Sequence, residues 1–348
     1  MTVPVTTPPN GFDKIPELAL AWQQSGRRVA IATVVATWGS APRPVGSQMV
    51  VSDRGEIEGS VSGGCVEGAV VIAAEEALSD GRCQLLTFGV SGEDAFSAGL
   101  ACGGEIRVLV EPVGADIGAG QGGGQGVPLD MLSDLVAHRA ARQPVITALN
   151  TQDWSRELRI ADGETNSEDT GLQGNLFLHR HTPPLRLIVV GAVHVAQALI
   201  PMAQIVGYDV VLIDPRGAFA TADRFPGVTI HEDYPDEVLP PLGLDARTGI
   251  VTLAHDPKID DPAIEAGLDG NVAYIGCLGS ARTQAERRNR LAARGYSPDS
   301  LARIHGPVGL DIGAIGPAEI AVSIMAELVA VERAGRARPK MAQRLCDL

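Results

Sequence analysis

The sequence predicts an α/β protein of two domains, an N-terminal α+β half followed by a doubly wound parallel sheet. Three observations carry this reading. The chain has 348 residues, beyond the size at which one hydrophobic core keeps growing, so two cores are expected. From Leu185 onward apolar, β-branched runs alternate with helical periodicity, the pattern of strands joined by crossover helices. Before that point strand, hairpin and helix signals are mixed, as in an α+β arrangement.

Composition narrows the function. An apolar fraction of 45% and a charged fraction of 20% are ordinary for a globular chain, and 41 glycines with 23 prolines imply many turns. The formal net charge of -14 excludes the basic footprint that phosphate backbones require, so no nucleic-acid partner is expected. No stretch reaches the ~18 to 20 apolar residues of a membrane span, and the first residues lack a charged region followed by an apolar run. The expectation is a cytoplasmic protein with no membrane partner. Cys65, Cys83, Cys102, Cys277 and Cys346 show no C-x-x-C spacing, which predicts free thiols rather than disulfides or structural zinc.

Residues 13 to 25 read as an amphipathic helix and RRVAIATVVATWG, 27 to 39, as a β-branched strand ended by Gly39. The loop GSAPRPVG leads into two short strands joined at Asp53, Arg54 and Gly55, a hairpin. Val66, Ala69, Val70 and Ala73 recur at helical spacing, so Cys65 to Leu78 predicts a helix. CQLLTFGV and EIRVLVEPV read as strands flanking an ACGG loop, and 114–128 is a glycine-rich, flexible insert. A helix from 129 to about Ala141, the strand PVITALN and short strands near 156–160 and 175–180 complete a first domain, 1–181. HTPP at 181–184 marks the boundary with the second, 182–348. There LRLIVVG, YDVVLID, VTI, GIVTLAH and NVAYIG read as strands, and a helix before Gly207 and another near 260–268 lie between them. Ser280 caps a helix running to Arg294, and Pro317 opens a last helix with Ile320, Ile324 and Leu328 on one face.

The segment LIVVGAVHVAQAL has the strand-turn-helix context of a dinucleotide fingerprint, with Gly191 at the tight turn and Ala196 at the helix-sheet contact. The second domain is therefore Rossmann-like. Val193 stands where the middle glycine belongs, and its side chain would crowd a pyrophosphate, so NAD(P) or another nucleotide is expected to bind weakly. Asp214, 23 residues after Gly191, is placed to accept a ribose hydroxyl. His194, His255, Asp256, Gly279 and Ser280 fall just past predicted strands, the edge where open α/β sheets bind ligands. In the first domain Ser62, Gly63 and Gly64 precede a helix start, where free N–H groups and the macrodipole attract an anion. Cys65 lies in that field, suited to act as a soft ligand or nucleophile. Cys102, Gly103 and Gly104 repeat the theme, and Arg43 adds a planar cation that can pair with a phosphate.

GSAPRPVG, GSVSGGCVE and ACGGEIRVLVEP, followed by VVGAVHVAQAL, IDPR, LAHD, YIGCLGS and GPVGLDIGAIGPAEIAVSIMAEL, resemble the XdhC/CoxI family of xanthine dehydrogenase accessory proteins over almost the whole chain. The resemblance implies an XdhC/CoxI-type N-terminal domain and a protein that binds molybdenum cofactor (molybdopterin) and supports its sulfuration. It implies as partners a cysteine desulfurase and the client molybdenum hydroxylase that receives the cofactor; a homo-oligomer is also expected. Cys65 and Cys102 are then candidate metal contacts, with Arg43 and the loop glycines as cofactor contacts, and no catalytic residue is assigned. Val193 departs from the family's usual G-x-G-H turn. An NAD(P)-dependent oxidoreductase stays open as the rival class. Asp214 and the His255-Asp256 pair favour it, whereas Val193 and the lack of an obvious substrate-positioning triad count against it.

Overall fold

The structure is a computed structural model that describes residues 14–39, 41, 43–89, 104–114, 125–161 and 170–334. The chain divides into two compact units, Met1–Pro184 and Leu185–Leu348.

In the first unit, α1 (Ile15–Gln24) buries Ile15, Leu18, Ala19 and Trp22, one helical face. β1 (Val29–Trp38) alternates between two cores because both its faces are covered: Ala30, Ala32 and Val34 share one, Val29 and Ile31 the other. β2 (Gln48–Ser52) and β3 (Ile57–Gly59) form the expected hairpin. α2 (Glu67–Asp80) lays Val70, Ala73, Ala74 and Ala77 on the first core and ends at Gly81, whose φ of 74° suits only glycine without strain. β4 (Gln84–Phe88) and β5 (Glu105–Pro112) complete an antiparallel sheet ordered β3-β2-β1-β5-β4. α3 (Leu129–Ala140) joins α1 over the second core through Leu132 and Leu135. β6 (Val145–Asn150), β7 (Arg156–Ile160), β8 (Gly171–Gln173) and β9 (Leu176–His181) make a second antiparallel sheet, ordered β7-β6-β9-β8. The sequence reading places no strand at β8, whose three residues carry no readable alternation.

The second unit is a six-stranded sheet. β10 (Arg186–Val190) is followed by α4 (His194–Val206), β11 (Asp209–Ile213), β12 (Thr229–His231), α5 (Pro235–Leu242) and β13 (Thr248–Thr252). Then come α6 (Pro257–Asp269), β14 (Tyr274–Cys277), α7 (Ala281–Ala293), α8 (Pro298–Ala302), β15 (Ile304–His305) and α9 (Pro317–Ala334). All neighbours pair in parallel, in the order β12-β11-β10-β13-β14-β15. Numbered within the unit this is 3-2-1-4-5-6, the doubly wound order, with its switch point between β10 and β13. Leu187 and Val189 of β10 pack with α4 and α9, while Ile188 and Val190 pack with α5 and α6, so both faces are buried. The sequence reading omits α5, α8 and β15. α5 contains three prolines in eight residues, and the other two are five and two residues long, too short for periodicity to register.

Candidate functional site

Strand register gathers the N-terminal loops. Trp38 lies opposite Glu105, Thr33 opposite Gln48, and Met49 opposite Gly59. The ends of β1 and β3 and the starts of β2 and β5 therefore share one end of the five-stranded sheet. The described part of GSAPRPVG, the SGGC loop and Gly104 all sit there, although they are separated in sequence. A methyl group added at Gly39 would stand 3.5 Å from the Gly104 Cα. Arg43 is half-buried on the first of these loops. Cys102 and Gly103 lie outside the described residues, as does most of the glycine-rich insert. Among the described cysteines, Cys65 is exposed while Cys83 and Cys277 are buried. Burial pushes the Cys83 thiol up to about 12 and the Cys277 thiol up to about 11, which makes both poor nucleophiles.

The Ser62, Gly63 and Gly64 amides that the sequence offers to a ligand are already engaged. Glu67, the first residue of α2, turns its carboxylate back over the loop. One oxygen accepts from the Ser62 amide at 2.9 Å and the Ser60 hydroxyl at 2.7 Å. The other accepts from the Gly64 amide at 2.8 Å, the Val66 amide at 3.2 Å and the Ser62 hydroxyl. Gly63 donates to Ser60 Oγ. Burial opposes the charge, but the Ser62 and Ser60 hydroxyls and the Ser62 amide outweigh it and bring the Glu67 carboxyl down to about 2.

In the Rossmann-like unit the predicted residues fall on the carboxyl edge of the sheet, and the structure assigns several of them local work. Gly191 has φ 108°, and a methyl group there would stand 2.7 Å from the Ala254 amide nitrogen, so the loops after β10 and β13 abut at the switch point. Val193 is the residue before α4, half-buried against the core, and His194 opens the helix exposed. Asp214 takes a different role from the ribose acceptor its spacing suggests. It is fully buried, and its carboxylate accepts from the Ala192 amide at 2.7 Å and from Arg216 through Nε at 2.9 Å and an Nη at 2.8 Å. The physical reason is Arg216, two residues on, which folds back over it and stacks 4.6 Å from the Phe219 ring centroid. Asp256 caps α6 by accepting from the Lys258 amide, Ser280 caps α7 by accepting from the Thr283 amide, and Gly279 precedes it at φ 136°. His255 is exposed and left-handed at φ 60°, a conformation few non-glycine residues adopt.

Two groups escape the sequence reading. Asp260 accepts from the Ala254 and His255 amides at 3.2 and 3.1 Å and pairs with buried Arg287 at 3.5 Å, holding the strained turn from beneath. Burial pushes its carboxyl up to about 6 against the pull of Arg287 and those amides. Glu327 on α9 accepts from the Tyr274 hydroxyl and the Gly309 amide and meets His305 Nδ1 at 2.9 Å. Tyr274 and Glu327 lie 53 residues apart, and nothing local in the sequence signals their pairing. Among the described residues no group of three His, Cys, Asp or Glu side chains can hold a metal ion.

A Rossmann-type unit preceded by an α+β unit with an exposed thiol loop defines the class, and comparison with known proteins gives the family. Residues 187–328 match the XdhC Rossmann domain, and residues 22–89 match the XdhC and CoxI family. The chain belongs to the XdhC and CoxI family. It is 29% identical over 307 residues to the molybdenum cofactor insertion chaperone PaoD of Escherichia coli, covering 88% of this chain and 84% of that one. It is 28% identical over 313 residues to a probable xanthine dehydrogenase subunit of Bacillus subtilis, covering 86% and 92%. The crystal structure of a xanthine dehydrogenase from Bacillus halodurans matches with a TM-score of 0.73 at 26% identity, covering 94% of this chain and 98% of that chain.

Proposed function

We propose that this protein is a molybdenum-cofactor chaperone that supports sulfuration of the cofactor and its insertion into a molybdenum hydroxylase of the xanthine, aldehyde or carbon monoxide dehydrogenase type. The observation that carries the reading is the gathering of the Arg43, Cys65 and Gly104 loops at one end of the five-stranded sheet, with Cys65 exposed. The name of the E. coli relative supports the same role. The cofactor is cargo, and the donor set suits cargo. A metal that arrives with its own organic ligand needs one accessible thiol, not a cage of protein side chains. Cys65, with Cys102, would contact the metal, and Arg43 would face the phosphate. A cysteine desulfurase supplying the sulfur, a homo-oligomeric state and a cytoplasmic location belong to the same proposal.

The oxidoreductase reading loses the support of Asp214, because its oxygens are engaged inside the fold. Nucleotide binding at the Gly191 turn is proposed only as weak, with His194 and His255 at its rim. The deciding experiment purifies the protein anaerobically under reducing conditions and assays bound pterin and molybdenum in the parent and in Cys65→Ser, Cys102→Ser. Bound cofactor in the parent and reduced retention in the variant are expected; equal retention in both rejects the thiol contact.

A further inference from the structure

We propose that Glu67 is a built-in anion, filling the amide nest at the start of α2 so that the Gly63–Cys65 loop presents the Cys65 thiol and recognises its ligand through sulfur rather than phosphate. The inference rests on the reading that Cys65 contacts the cofactor. A turn of successive amides at a helix start is the usual seat of a phosphate oxygen. Here the amides of Ser62, Gly64 and Val66 and the hydroxyls of Ser60 and Ser62 all point at one carboxylate of the same chain. A second anion cannot share those donors, since it would meet a like charge at contact distance.

The consequence is geometric. Gly63 and Gly64 have φ of 74° and 112°, conformations that cost little for glycine but are not self-selecting, because an open glycine pair samples many shapes. Donation to both oxygens of Glu67 selects one of them. Ser62 is buried beneath the loop, its hydroxyl donating to Glu67 and accepting from the Val66 amide at 2.9 Å. Cys65, between two residues whose amides are held, is left outside with its thiol exposed. Glu67 is thus a positioning residue for Cys65, and the phosphate of the cargo has to be met elsewhere.

The test uses the full-length protein and two variants. Glu67→Ala empties the nest; its melting temperature is expected to fall below that of the parent, and inorganic phosphate or acetate at matched ionic strength should restore part of the loss while leaving the parent unmoved. A Glu67→Ala protein indifferent to both anions, or a parent that phosphate stabilises equally, overturns the proposal. Glu67→Gln keeps the side-chain volume and serves where Glu67→Ala does not fold. It should retain bound pterin about tenfold less tightly than the parent, the loss of a charge-assisted hydrogen-bond set, and adding Cys65→Ser should weaken retention no further than Cys65→Ser alone. Parent-like retention by Glu67→Gln, or additive losses in the double variant, overturns it as well. If the parent holds no pterin at all, the chaperone reading fails, and the anion-rescue comparison still decides the role of Glu67.

Discussion

The Asp214 carboxylate accepts the Ala192 amide at 2.7 Å, tying the end of β11 to the first turn after β10. Arg216 closes the same carboxylate from the other side. Asp214→Ala would leave a buried amide and a guanidinium without their acceptor, at a cost of roughly 2–3 kcal/mol. Urea unfolding of the variant against the parent measures it, and a loss within experimental error would show that the contact is dispensable.

Gly191→Ala should destabilise the second unit by roughly 2–4 kcal/mol. The φ of 108° disfavours any side chain, and the obstacle at 2.7 Å is backbone, which cannot rotate aside. A lowered denaturant midpoint with an unchanged slope is the expected signature.

Val193→Gly removes the isopropyl group at the position where the dinucleotide fingerprint has its middle glycine. NAD(P) affinity measured by calorimetry should rise, while stability falls by about 1 kcal/mol because Val193 also packs against the core. Tight binding by the parent with no gain in the variant would show that the side chain is not the obstacle.

Acid should weaken the first unit in two stages. His179 and His181 are buried side by side, ring centroids 4.0 Å apart. Burial lowers both imidazoles below the usual 6.5, His179 to about 4 with Arg139 adding to the effect, and His181 well below it with His179 and Arg139 adding. Both are neutral when folded and protonate readily when unfolded, so their contribution is complete above pH 6.5 and declines as pH falls toward 4. Glu67, depressed from 4.5 to about 2, adds a second loss across that lower window. Unfolding free energy followed from pH 7 to 3 should show the first decline in the parent and a shallower one in His179→Phe.

Much of this protein is legible along its chain. The alternation after Leu185 predicted a parallel sheet because a buried strand must be apolar on both faces and a crossover helix on one, periods that a single sequence displays. The same holds for the β2–β3 hairpin and the α7 cap at Ser280. Where a structure depends on which polar groups actually meet, whether 2 or 22 residues apart, the sequence was silent. Spacing placed Asp214 within reach of a ribose, and only the fold of Arg216 back upon it showed its oxygens already engaged. Gly63 and Gly64 marked an anion nest, and only the turn of Glu67 over that loop showed that the chain supplies the anion. Periodicity and turn chemistry act over a few residues and can be read along a chain. Hydrogen-bond satisfaction is settled among all the groups that the tertiary structure brings within about 3 Å of one another, and that set exists only in the folded state.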